Sequence, residues 1–168
     1  MIPESDKKAT FPVMRITQPI GDFYVGKMSA KDLIDISWFD IRRLSGSTGL
    51  DDYIGIQRKI SEKRVREISQ YVSLSDATFP TAVILAVEGR CTELSEIKTE
   101  PVLADFFRMT LKNIPGDFDD DETVLFRGIA RVLDGQHRII GLKESGRDLE
   151  NFEVNVCVFV DADIADQA

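Results

Sequence analysis

The sequence is poor in the side chains that bind metals and build disulfides. Its 168 residues include one histidine and two cysteines, Cys91 and Cys157, which do not form a CxxC pair. The usual four-ligand zinc set is out of reach, and no disulfide framework is expected. Both cysteines lie in or beside apolar, strand-like stretches, where a buried thiol in a reducing cytoplasm is the simplest reading. No apolar run approaches the ~20 residues that cross a bilayer. The start, MIPESDKKATF, lacks the apolar stretch of a secretory signal, so no membrane partner is expected. Excess positive charge is missing too. A formal net charge of −8 argues against a generally basic nucleic-acid surface but leaves room for a local basic pocket. There is no GxxxxGK[ST] loop, so any nucleotide hydrolysis would need a different phosphate cradle.

What is present describes a soluble globular chain, 43% hydrophobic and 30% charged, long enough to bury a core. No internal repeat or convincing boundary interrupts it, so residues 1–168 read as a single domain with its core at about 11–160. Phe11 to Thr17 and Gly21 to Met28 look like two short strands. Ser29 is placed to cap a helix in which Leu33 and Ile36 face a core. LSGSTGLDD, from Leu44, reads as an exposed loop. Ser61 caps a second helix, whose Val65, Ile68 and Val72 repeat at three- and four-residue spacing. Arg64 lies on the margin of that stripe, where it can border a pocket, whereas Arg66 points away as a solvated charge.

FPTAVILAV, Phe79 to Val87, suits a central strand covered on both faces. LADFFRMTLKNI reads as helix-like. Asp119, Asp120, Asp121 and Glu122 then form an acidic run without the spaced pattern of a calcium loop, best read as solvated. TVLFRGIARVLD is strand-like, with Gly128 suited to a bulge. After a helix starting at Gly135, Phe152, Val154, Val156, Val158 and Val160 alternate to one face of a last strand. Strands alternating with helices give an α/β (α+β) class, a compact mixed β-sheet flanked by helices.

The stretch RVLDGQHRIIGLKESG, from Arg131, holds the only histidine. Asp134 ends a strand, Gly135 permits a sharp turn, and Gln136, His137 and Arg138 fall in the first turn of a helix. Exposed N–H groups and the positive end of the helix dipole favour an anion there. Arg138 is suited to grip a phosphate or carboxylate with two hydrogen bonds, Gln136 to donate or accept, and His137 to carry a proton. An ordinary turn, with Asp134 capping the helix and paired with Arg138, explains the spacing equally well. Gly141 leaves room for another element under either reading.

VLDGQHRIIGL resembles the signature of the DGQHR-domain family. QPIGDFYVGKMSAKDLIDI, GIQRKISEKRVREISQYV and FPTAVILAV resemble its other blocks in family order, together covering most of residues 11–160. The resemblance implies a ParB/sulfiredoxin-like fold and kinship with the DndB regulators of DNA phosphorothioate modification and with bacterial and phage defence proteins. Asp134, Gly135, Gln136, His137 and Arg138 match the signature, Gln57 and Arg58 match the IQR block, and Arg64 matches the arginine of the helix that follows. Longer members continue past the strand at Val160 with a largely helical region, so this chain is expected to be a reduced form or a fragment, with an oligomer or partner subunit left open as the source of the missing region.

Two functions follow as expectations. In the first, Gly135, Gln136, Arg138, Gln57, Arg58 and Arg64 bind the phosphates of a nucleoside triphosphate with Mg²⁺. His137 or Asp134 would then position or activate water in any hydrolysis, and enzymatic activity stays an open question. In the second, the chain is a non-enzymatic, DndB-type DNA-binding regulator whose Arg58–Arg66 segment contacts backbone phosphates. No spaced carboxylate set for two metals is apparent, which argues against a nuclease. Neither cysteine sits in an activating motif, which argues against redox chemistry.

Overall fold

The computed structural model describes residues 6–38, 60–98, 105–116 and 122–161. In chain order the elements are β1 (Lys8–Gln18), β2 (Gly21–Ser29), α1 (Ala30–Ile36), β3 (Ser37–Trp38), α2 (Glu62–Val72), β4 (Val83–Val87), β5 (Thr92–Glu96), β6 (Phe106–Lys112), β7 (Ala130–Asp134), α3 (Gln136–Glu144) and β8 (Glu153–Val160). The eight strands form one curled sheet in the order β3-β7-β4-β8-β2-β1-β6-β5. Pairing is antiparallel except for β3 with β7 and β4 with β8. The class is mixed α+β, with three α-helices among the described residues.

Residues directly opposite on paired strands share a face, and the register separates two faces clearly. One face carries Phe11 and Val13 of β1, Met28 of β2, Val156 and Val158 of β8, Leu85 of β4 and Val132 of β7, all buried. Leu33 and Ile36 of α1, Val72 of α2, and Ile139 and Leu142 of α3 join them in a single core. The three helices therefore cover this inner face. The outer face alternates with it. There, Ile16 pairs with Phe23 and Met14 with Val25, and Cys157 pairs with Ile84.

The local signals act as the side chains dictate. The Ser29 hydroxyl accepts from the Asp32 N–H at 3.0 Å and starts α1. The Ser61 hydroxyl accepts from the Arg64 N–H at 3.3 Å and starts α2. The alternation in β8 buries Val154, Val156 and Val158, with Phe152 and Val160 packed on the same core. Cys91 is buried and Cys157 half-buried, both as free thiols. Four expectations are corrected. LADFFRMTLKNI contributes the strand β6, not a helix. Met109 and Leu111 turn inward at a period of two, and β1 and β5 pair on its two sides. β5 itself is a further strand. β4 lies at the centre of the sheet, but only Val83, Leu85 and Val87 are buried; Ile84 and Ala86 on the other face are half-covered. Gly128 sits in a 3₁₀ turn, Phe126–Gly128, and the bulge falls between Ile84 and Leu85 instead. The LSGSTGLDD segment lies outside the described residues.

α2 and α3 run side by side in the same direction. His137 meets Ser61 at their starts, Gly141 meets Ile68 and Ser69 midway, and Ser145 accepts a hydrogen bond from Ser73 at their ends. A Cβ on Gly141 would lie 2.4 Å from Ile68 Cγ2 and 2.8 Å from its Cβ, so hydrogen is the only substituent that fits. Gly141→Ala is expected to lower stability by about 1–3 kcal/mol through overpacking, despite alanine's better helix propensity. Urea denaturation measures this. An unchanged or raised midpoint would show that the helices are not in such close contact.

Candidate anion site at two helix starts

The turn from β7 into α3 depends on Gly135, whose φ of 99° lies in the left-handed region and whose carbonyl accepts from the Arg138 and Ile139 N–H groups at 2.9 and 3.1 Å. A Cβ there would also lie 3.0 Å from Val83 and 3.1 Å from the Arg138 guanidinium. Gly135 is the N-cap of α3, and no side chain caps the helix. Asp134 does not take that part. Its carboxylate is 70% exposed and lies 3.4 Å from Arg138 Nη2.

Arg138 is largely occupied by the protein. Its Nη1 donates to the Thr81 carbonyl at 2.5 Å and to the Thr81 hydroxyl at 2.9 Å. Nη2 donates to the Ala82 carbonyl at 2.9 Å and, more weakly, to Asp134. These carbonyls precede β4, so the guanidinium ties the first turn of α3 to the entrance of the neighbouring strand. Only 17% of the side chain is exposed. Burial pushes the Arg138 pKa below its ordinary value, Asp134 pulls it back up, and the nearby Arg64 guanidinium pushes it down again.

His137 is also engaged. Its Nε2 accepts the Ser61 N–H at 3.0 Å, which assigns the ring proton to Nδ1. That contact joins the N-cap of α2 to the first turn of α3. Gln136 sits half-buried in the same turn. Arg64, in the first turn of α2, is exposed and makes no ion pair among the described residues. Its neighbours are neutralised: Arg66 lies 3.5 Å from Glu62, and Lys63 lies 3.8 Å from Glu67. Gln57 and Arg58 lie outside the described residues, as do Asp119, Asp120 and Asp121. Of the expected site residues, the structure thus gathers Asp134, Gly135, Gln136, His137, Arg138 and Arg64 at one corner.

Because α2 and α3 are parallel, their dipoles add. Each contributes roughly half a positive charge at its start, and both starts lie at this corner with two guanidiniums close enough to repel. At the opposite ends the sign reverses, and Arg147 answers it by donating to the carbonyls of Val72 and Leu74 at 2.7 and 2.8 Å. A shallow pocket of about 290 Å³, lined by Ser73, Ser75, Ser145, Gly146 and Arg147, lies at that far end, where helix carbonyls disfavour anions. The arrangement at the near corner suits a phosphate or another oxyanion. Among the described residues, no three His, Cys, Asp or Glu side chains gather as a metal site. No described helix is long and apolar enough to cross a membrane.

Sequence reasoning missed Ser61's backbone donor, the Thr81 and Ala82 carbonyls and the capping role of Arg147. No motif announces a backbone acceptor, although Thr81 just before an apolar strand marks where one is available.

A family model described as DndB, DNA-sulfur modification-associated, matches residues 11–168. The chain belongs to this family. No curated protein and no solved structure matches it. In this DndB-family chain the match includes the whole corner, from Ser61 to Arg138.

Removing the Arg138 side chain leaves the Thr81 and Ala82 carbonyls without their donors. Arg138→Ala is expected to cost about 2–3 kcal/mol of stability. Arg138→Lys should recover only part of it, since an ammonium cannot reproduce the planar fork. Chemical denaturation reads both. A stable Arg138→Ala protein that had lost anion binding would instead make this guanidinium a ligand group.

Proposed function

We propose that this chain is a phosphate-binding component of a DNA-sulfur modification system. It holds a nucleotide or nucleic-acid phosphate where α2 and α3 begin. The observation that carries the reading is geometric: two parallel helices start side by side, joined by the Ser61 N–H to His137 contact, with Arg64 in the first turn of one and Arg138 in the first turn of the other. An oxyanion suits two adjacent helix starts that each carry a guanidinium.

Division of labour follows from exposure. Arg64 grips the ligand, and Arg138 supplies field while holding the turn. Gly135 keeps the backbone approach open, and Gln136 lines the site. Gln57 and Arg58 are further candidates from the preceding segment. Binding is better supported than hydrolysis: the Nε2 lone pair of His137 is engaged by Ser61, and Asp134 is solvated beside a cation. A nucleoside triphosphate with Mg²⁺ remains the first small ligand to test. The family kinship also favours a ParB/sulfiredoxin-like scaffold and a cytoplasmic setting. Free thiols agree with the latter.

A second reading, a non-enzymatic DNA-binding regulator, is favoured by the exposure of Arg64 and by the family description. In that case the same corner would hold a backbone phosphate of duplex DNA.

Calorimetric titration of the intact chain with ATP, GTP, CTP and inorganic phosphate, with and without Mg²⁺, tests the first reading. Arg64→Ala is expected to weaken binding about tenfold or more, the loss of one charge-assisted contact. Asp134→Asn is expected to tighten it by removing the opposing charge. Gel shifts with duplex DNA, with and without phosphorothioate linkages, test the second. Salt-sensitive retention of DNA without nucleotide binding favours the regulator. Silence in both assays, or full binding by Arg64→Ala, overturns the site.

A further inference from the structure

The outer face of the sheet carries a second surface, distinct from the corner. Across five adjacent strands the register sets Trp38 of β3 beside Arg131 of β7, Arg131 beside Ala86 of β4, and Ala86 beside Phe159 of β8. Phe159 stacks on Phe23 of β2 with ring centres 5.2 Å apart and planes 22° from parallel. The Arg131 guanidinium lies over the Trp38 indole, 5.9 Å from its centre. Trp38 is 40% exposed and Met14, in the next row, 39%. Among the described residues, neither these nor Ile16, Val25 or Ile84 belong to the core or pack against it. At about 4.8 Å between strands, the row from Trp38 to Phe23 spans about 19 Å.

The charge on this face departs from that of the chain. Its strand residues include Lys8, Lys27, Arg108, Lys112 and Arg131 against the carboxylates Glu93, Asp134 and Glu153. All three carboxylates are already paired, Glu153 with Lys27, Glu93 with Lys112 and Asp134 with Arg138. Lys8, Arg108 and Arg131 make no ion pair among the described residues. A chain of net charge −8 therefore presents an apolar, aromatic sheet face with surplus positive charge.

We propose that this face binds single-stranded nucleic acid, stacking bases on Trp38 and the Arg131 plane while Arg108 and Lys8 meet phosphates. Stacking platforms flanked by cations suit unpaired bases, whose flat faces are exposed, and not a duplex, whose bases are already stacked. The surface charge selects a polyanion over a neutral or acidic protein partner.

Trp38 is the chain's single tryptophan, so its emission reports on the surface directly. The intact chain is titrated with unlabelled oligo(dT), and binding is followed in parallel by anisotropy of a labelled oligo(dT) and of a duplex of the same length. Oligo(dT) is expected to quench Trp38 and to bind at least as tightly as the roughly 10⁻⁴–10⁻⁶ M of non-specific contacts. The slope of log K against log salt should be about −1.4 for two neutralised phosphates, falling in magnitude by about 0.7 in Arg108→Gln. Trp38→Ala is expected to weaken binding about tenfold and Trp38→Phe to retain most of it. Arg64→Ala should leave the quenching of Trp38 by oligo(dT) unchanged, which separates this surface from the helix-start corner. Absence of quenching and of anisotropy change at low salt overturns the proposal. So does full binding by Trp38→Ala, a preference for the duplex, or loss in Arg64→Ala alone. Trp38 emission that shifts with protein concentration alone, together with a dimer in sedimentation, would assign the face to a second copy of the chain and equally overturn it.

Discussion

The guanidinium of Arg138 holds the corner of this protein together. Its four directed hydrogen bonds join the first turn of α3 to the carbonyls of Thr81 and Ala82 and to Asp134. Those carbonyls belong to the chain as it enters β4, just before the ladder with β8 begins at Val83. A guanidinium is suited to this task because its planar fork can satisfy two neighbouring acceptors at once and stays charged even when partly desolvated. With Arg138 anchored, Gly135 is held in its left-handed turn, α3 leaves β7 at a fixed angle, and His137 reaches the Ser61 N–H that starts α2. The helix pair is thus registered from its first turn.

That registration has an electrostatic consequence. Adjacent helices in globular proteins gain when their dipoles oppose; α2 and α3 instead lie parallel, so like ends meet. The protein compensates one end with its own side chain, Arg147, whose guanidinium sits on the carboxyl end of α2 and over the Phe152 ring, 5.1 Å from its centre. At the other end it adds cations, Arg64 and Arg138, where anionic side chains would ordinarily be favoured. Glu62, the acidic residue of α2's first turn, is turned to Arg66. That end is compensated only in part from within, by the Ser61 hydroxyl and the His137 ring, while two guanidiniums add to its positive charge.

Much of this fold could be read from the residues, because some elements carry only one consistent signal. The Ser29 and Ser61 caps, the one-sided alternation of β8 and the clearance provided by Gly141 all work within a few residues of sequence. β6 was misread because its segment carries two periods. Phe107, Met109 and Leu111 alternate, but Leu103, Phe106, Phe107 and Ile114 fall at helical spacing, and only the partners β1 and β5 decide between them. The candidate corner was legible as a cluster, since Asp134 to Arg138 are contiguous and Arg64 lies on the correct flank of its helix. The task of Arg138 was not. Whether a guanidinium meets a ligand or a carbonyl depends on what lies more than fifty residues away, and Thr81 and Ala82 have no sequence mark as acceptors.

The two faces of the sheet explain how one small chain can hold two anion-friendly surfaces while its total charge is negative. All three described helices pack on the inner face, so the corner formed by the starts of α2 and α3 belongs to that side. On the outer face, β-branched and aromatic residues such as Val25, Phe23 and Phe159 satisfy the demands of a strand without being drawn into the core. They support one another, as the Phe23–Phe159 stack does, yet Trp38 and Met14 keep more than a third of their surface accessible. A contiguous apolar patch left open on a protein surface marks a site of interaction. The cations between and around these side chains make an acidic or purely apolar cover a poor match. Burial on one side and charge on the other thus come from the same alternation: each strand that sends a valine or leucine inward sends its next residue out, and at Arg108 and Arg131 that next residue is a cation.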